Sequence, residues 1–196
     1  MLSRTSVKGT LLLAIGTGII ALGAAQAGHA ASQDDADVTA RIENAMSAAP
    51  SSVSADATIL DWEMDDAGKF VVLQNGNNGW FCLPDDPTTP SDDPMCVDQT
   101  WLDWVYAIIA GEEPPTKVAG LAYMLQGGTA ASNTDPAATK PAAGEDWITD
   151  PPHVMMLFPD ALDQSVFSTD HASGQPYIMW AGTPYEHIMM PVADGE

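Results

Sequence analysis

Apolar residues recur at two periods along this chain, and the switches between those periods divide it into elements. Val38, Ile42, Ala45, Met46 and Ala49 fall at helical spacing, acids crowd the start of the run, and Pro50 ends it. That pattern predicts an amphipathic helix over Asp34–Ala49. After a Ser/Ala linker the period drops to two: Leu60, Trp62 and Met64 alternate with Asp61 and Glu63. Thr58–Met64 is therefore expected to be a half-buried strand. Asp65-Asp66-Ala67-Gly68 reads as a turn into a second strand at Lys69–Leu73. Asn75-Gly76-Asn77-Asn78-Gly79 is a strong turn signal before a third strand, Trp80–Leu83. In that order the three strands predict an antiparallel meander.

Asp98 suits the N-cap of a second helix, Gln99–Ala110, whose stripe is Trp101, Trp104, Val105 and Ile108 and which Gly111 and Pro114-Pro115 close. Two tryptophans on such a stripe are expected to pack in the core. Val118–Gln126 predicts a fourth strand with Leu121, Tyr123 and Leu125 on one face. From Gly127 to Pro152 no period holds, which predicts a long loop acting as a flap or insertion, with Trp147 tacking it down. Three short apolar strands follow, His153–Phe158, Tyr177–Trp180 and Tyr185–Val192. Together these elements predict one α+β domain: an antiparallel sheet of about six or seven strands, two main helices on one face, and one disulfide.

That disulfide would join Cys82 and Cys96, the only cysteines. Between them lie Pro84, Pro87, Pro90 and Pro94, which interrupt any strand or helix because each fixes φ and removes a backbone donor. The pairing closes a loop of about 15 residues and contributes about 3 kcal/mol in the chain-entropy account. It is expected to clip the end of the third strand to the start of the second helix.

Composition changes the picture at the N-terminus. Arg4 and Lys8 precede an apolar run of small residues from Thr10 to Ala25, and Ala25-Gln26-Ala27 fits a small-x-small cleavage site. This is the anatomy of a secretory leader over residues 1–27, followed by a helix and linker over 28–57 and the main domain over 58–196. Nothing after Ala31 is apolar enough to anchor the chain in a membrane. Export to a periplasmic or extracellular space also favours pairing of the cysteines. The whole sequence has a net charge of −21, and losing the leader's two basic residues makes the remainder more negative still. Only Arg41, Lys69, Lys117 and Lys140 then oppose 27 acids, which disfavours nucleic acid and anionic lipid as partners.

Candidate chemistry gathers near the C-terminus, which holds three of the four histidines and five of the ten methionines. Strand alternation places His153, Met155 and Leu157 on one face, Tyr177 and Met179 on one face, and Tyr185, His187 and Met189 on one face. If the strands are neighbours, imidazole and thioether groups converge. Such a face suits a soft ion such as copper(I), or a small organic ligand. A plain core of methionines and hydrogen-bonded histidines is the bland alternative. Asp85, Asp86, Asp92 and Asp93 form a second candidate, hard oxygen ligands for a cation, although the order of a calcium loop is missing. No nucleophile elbow, zinc-protease pair or phosphate loop occurs in the sequence. Ser168-Thr169-Asp170-His171 offers useful residue types without implying triad geometry. Asp61 and Glu63 share a strand face and could form a carboxylate pair, with an exposed polar face as the simpler explanation.

A set of landmarks recurs through the chain: Gly79-Trp80, Asp93-Pro94-Met95-Cys96, Tyr123-Met124-Leu125 before Gly127-Gly128, Ser132-Asn133 and Asp135-Pro136. It continues with Pro152-His153, Pro176-Tyr177-x-Met179-Trp180 and Gly182-Thr183-Pro184-Tyr185-x-His187-x-Met189. The set resembles a family of secreted bacterial proteins with no established activity, over roughly Thr58 to Val192. The resemblance implies export and a single domain, and no chemistry.

The expected function is that of an exported, acidic, non-enzymatic binding or accessory protein using the His/Met/Tyr sheet face for a small ligand or metal. A small hydrolase or isomerase with a histidine acid/base is the alternative, and a structural envelope protein a third. Expressed in a bacterium with a periplasm, the exported product should begin within a few residues of Gly28, which intact-mass measurement checks.

Overall fold

Alternation places Ile59 in the core at the start of the first strand, β1 (Thr58–Met64), which hairpins through Asp65–Lys69 into β2 (Phe70–Gln74). The computed structural model describes residues 23–193, with side chains from 35 onward, so most of the expected leader lies outside the described residues. The third strand, β3 (Phe81–Leu83), does not extend the hairpin as a meander. It pairs with β1 in parallel, leaving β2 at the sheet edge.

The connection explains this. Segment 75–80 crosses the start of β1, where Asn77 N–H donates to Asp56 O at 2.9 Å and Thr58 N–H to Trp80 O at 2.8 Å. Gly76 lies so close that a Cβ there would fall 2.2 Å from the Ala57 carbonyl carbon. Only a residue without a side chain lets the two backbones pass.

The proline-rich segment also yields a strand the pattern did not predict, β4 (Met95–Val97), which starts directly after Pro94. β3 and β4 are antiparallel with Cys82 opposite Cys96, so the disulfide joins neighbouring strands rather than a strand to a helix. Next come β5 (Gly120–Met124), β6 (Gly128–Ala130), β7 (Ile148–Asp150), β8 (His153–Leu157), β9 (Tyr177–Met179) and β10 (His187–Pro191). The main sheet has eight strands in the order β2-β1-β3-β4-β5-β8-β10-β9, mixed through the β1/β3 pair, and β6-β7 is a separate ribbon. The expected loop at 127–152 thus carries a small sheet of its own.

The helices pack on opposite faces of the sheet, not on one. In β4 and β5, alternation sends Val97 and Ala122 to one side and Cys96 and Tyr123 to the other. Helix α1 (Gly23–Ser47), from Asp37 onward, covers the disulfide side with Ala45 and, just past its end, Ala48; their small side chains allow close approach, and Cys96 Sγ lies 3.6 Å from Ala45 O. A short helix, α2 (Ser51–Ser54), occupies the expected linker. Helix α3 (Gln99–Ala110) covers the other side with Trp101, Trp104 and Val105. Its ends match the sequence pattern: Asp98 accepts from Trp101 N–H at 2.9 Å, and Gly111 takes a left-handed conformation at φ 67°. At Gly120 a Cβ would meet Thr100 and Trp101 at 3.1 Å, so its bare backbone seats α3 on β5. The compact unit from Asp37 onward is a single α+β domain, and among the described residues no helix is long and apolar enough to cross a membrane.

The disulfide spans 14 positions and ties β3 to β4 beneath α1. Replacing Cys82 and Cys96 together by alanine should lower unfolding free energy by about 3 kcal/mol, checked by urea denaturation.

Candidate functional site: a tryptophan- and methionine-walled cavity

β5, β8, β10 and β9 are consecutive and antiparallel, so their alternation compounds across the sheet. Ala122 pairs with Met155, Met155 with Met189, and Met189 with Tyr177, making one row on the α3 side. The flanking row at one end contains Met124 opposite His153, and at the other His187 opposite Met179. The three C-terminal strands thus bring His153, Met155, Met179, His187 and Met189 to one face, all buried.

Between this face, α3 and the segment carrying β6 and β7 lies a cavity of about 470 Å³. Five of the six tryptophans and five of the ten methionines line it. The sixth tryptophan, Trp80, packs on Tyr123 on the opposite side of the sheet, with ring centroids 5.4 Å apart. Neither lysine nor arginine is among the lining residues, so nothing there balances a bound anion. A broader hollow of about 1240 Å³ lies within the 131–149 loop, against His171 and Ala172. It contains neither buried imidazole.

His187 stands at the α3 end, edge-on to three indoles, with centroids 5.2 Å from Trp180, 5.3 Å from Trp101 and 5.5 Å from Trp104. Its Nδ1 donates to Tyr185 O at 3.0 Å. Burial pulls its pKa down to about 4, with a smaller contribution from His153, so the ring is neutral at ordinary pH. His153 donates from Nδ1 to Pro151 O at 2.7 Å, and burial lowers its pKa as well. Pro191 pairs with His153 and Ile188 with Met156, which sets His187 four residues along the sheet from the level of His153. That is a separation of about 13 Å, and side chains standing perpendicular to the sheet do not meet on one ion across it.

Four aspartates, Asp86, Asp93, Asp135 and Asp150, complete the wall, and two of them, Asp93 and Asp150, are buried. Asp150, at the end of β7, accepts from the Tyr177 hydroxyl at 2.9 Å. Burial raises its pKa, opposed by His153 and by the tyrosine hydrogen bond. Asp93 accepts from Thr89 Oγ1 at 2.7 Å and Asp86 N–H at 3.2 Å, and burial pushes its pKa up to about 6.

Five buried side-chain nitrogen or oxygen atoms have no hydrogen-bond partner among the described residues. Three of them, Trp101 Nε1, Trp104 Nε1 and His153 Nε2, belong to residues lining this cavity. By contrast, Trp62 donates to Pro84 O and Trp180 to Ser132 O, each at 2.8 Å. Trp180 also has a left-handed backbone, φ 55°, unusual for a residue with a side chain.

The chain matches no protein-family model, no curated protein and no solved structure.

The other candidates that the sequence suggests disperse. Tyr185 does not line the cavity; its hydroxyl donates to Glu112 O at 2.7 Å. The aspartates between the cysteines turn oxygens to donors elsewhere in the protein, most of them within the same loop. Asp85 accepts from Asp93 N–H, Asp86 from Thr88, and Asp92 from Asn44. Among the described residues no three His, Cys, Asp or Glu side chains are grouped to hold an ion. Asp61 is ion-paired with Arg41 instead of Glu63, and Asp170 caps a short 3-10 helix, His171–Ser173. Sequence reasoning missed Asp150, hidden in an aperiodic stretch before Pro151-Pro152. The expected core packing of Trp101 and Trp104 holds, and the same two residues also line the cavity.

His187 provides a pH test. Its folded pKa lies below the unfolded value, so the unfolded chain binds the proton more readily and stability is lost as pH falls from about 6.5 towards 4. Relative to His187→Gln, the wild type should lose about 3 kcal/mol across that window. Parallel urea titrations check this, and contributions from Asp93, Asp150 and His153 largely cancel in the difference.

Proposed function

We propose that this is an exported protein that binds a small, largely apolar organic molecule in the cavity beneath α3. The observation that carries the reading is the set of three buried ring nitrogens without partners on residues that line one chamber. Leaving a buried polar group unsatisfied costs about 1–3 kcal/mol, and the expense is easiest to understand where a ligand supplies the missing bonds. The indoles can only donate, whereas His153 Nε2, with its proton on Nδ1, can only accept. A ligand with a hydroxyl or amide group meets both needs. Aromatic and thioether walls suit its apolar body, and the absence of lysine and arginine argues against an anion. Export is supported by the leader-like first 27 residues and by the disulfide.

An acid/base enzyme is the second reading. Asp93, with a pKa of about 6, and a neutral His153 line the same cavity, a combination common in active sites.

Native mass spectrometry of protein purified from the periplasm should show a retained small molecule, and ligand addition should change tryptophan fluorescence. Ala130→Trp, placing an indole at the cavity wall, should abolish both while unfolding remains cooperative. If the wild type carries no added mass and its fluorescence ignores a panel of neutral apolar compounds, the reading is wrong.

A further inference from the structure

We propose that the His153 end of the cavity is a site for a soft monovalent metal ion, copper(I), held by His153 Nε2 and the neighbouring methionine sulfurs, with Met124 foremost. The inference concerns one end of the cavity and does not require an organic ligand to occupy the rest.

His153 is 2% exposed, and its Nδ1 faces the Pro151 carbonyl, which can only accept. The proton therefore sits on Nδ1, and Nε2 presents a lone pair with no partner. A backbone carbonyl fixing one ring nitrogen while the other stays free is the arrangement that orients histidine as a metal ligand. Cross-strand pairing sets Met124 directly opposite, where Cβ atoms are about 5 Å apart. The distal atoms are close as well. Met124 Cε lies 2.9 Å, and His153 Cε1 3.8 Å, from the one point where a Cβ on Gly128 would stand. Met155 follows two residues along the same strand face, and Met189 is its partner in β10. All four side chains are buried and line the cavity.

The donor set chooses the ion. Thioethers are neutral and soft, and with imidazole they favour copper(I) over harder or divalent ions. Zinc or calcium would require several imidazole, thiolate or carboxylate groups, and no such trio occurs among the described residues. A single positive charge also suits the surroundings. The Asp93 Cβ lies 3.4 Å from the same point beside Gly128, and the Asp150 carboxyl interacts electrostatically with His153.

Silver(I) serves as a redox-inert probe. In protein labelled with nitrogen-15 at histidine, one equivalent should shift the His153 Nε2 resonance, leaving that of exposed His171 in place. Competition with a copper(I) chelator under anaerobic conditions should give at least tenfold weaker binding for Met124→Leu, a volume-conserving change that the fold should tolerate. His171→Ala should bind as the wild type does. A His153 ring unmoved by silver, equal affinity in Met124→Leu, or equally strong competition by zinc would each overturn the site. A silent His153 in protein that retains an organic molecule removes the metal site and leaves the pocket reading standing. A silver response that persists in Ala130→Trp, with no organic molecule retained by the wild type and no fluorescence response to neutral apolar compounds, supports the metal site and removes the pocket reading.

Discussion

The cavity depends on the register of four antiparallel strands. With Met124 opposite His153, Met155 opposite Met189, and His187 opposite Met179, every second residue of β5, β8, β10 and β9 faces α3. Side chains alternate strictly along a strand, so a slip of one residue in β8 would turn both His153 and Met155 to the far side. The seating of α3 protects this register. Gly120 in β5 brings the helix in close, and Trp101 and Trp104 rest on the imidazole and thioether rows beneath it. Packing and recognition therefore use the same side chains.

The interior of this strongly acidic protein is held close to electrical neutrality. Most of its acids face solvent, where water screens them. Of the four aspartates that line the cavity, the two buried ones, Asp93 and Asp150, have carboxyls that burial biases towards the protonated form, while His153 and His187 are biased towards the neutral ring. Removing charge from both kinds of group is what a low-dielectric chamber demands. It also makes the chamber responsive, because an entering charge or a strong hydrogen-bond partner can change the protonation of several groups together.

How much of this was legible varied with the range of the interaction responsible. Local signals served well: β1 ran over Thr58–Met64 and α3 over Gln99–Ala110 as the patterns required, since alternation, an aspartate cap and a terminal glycine act within a few residues. The shared face of the three C-terminal strands was readable for the same reason. Long-range order was not. The crossing at Gly76 depends on the backbone of Ala57, and nothing in Asn75–Gly79 separates such a crossing from a hairpin turn. The division of the helices between the two faces follows from which side Cys96 and Val97 take, a parity set only when β4 pairs with β3. Asp150 entered the site through pairing of β6 with β7, two three-residue strands too short to show a period.

Trp180 follows β9 on the outermost strand of the sheet and fastens the segment that covers the chamber. Its amide donates to Asn133 O at 2.9 Å and its indole to Ser132 O at 2.8 Å, while its ring stacks on Trp104 at 5.8 Å. The fastening uses a left-handed backbone that a residue bearing a side chain adopts at a cost of about 1–2 kcal/mol. Letting go of this corner would break two hydrogen bonds worth about 1 kcal/mol each and the Trp104 stacking, worth about another 1 kcal/mol, while returning that conformational cost. The corner that holds the cover therefore owes its net stability to the indole packing, since the two hydrogen bonds are largely offset by the backbone conformation they require.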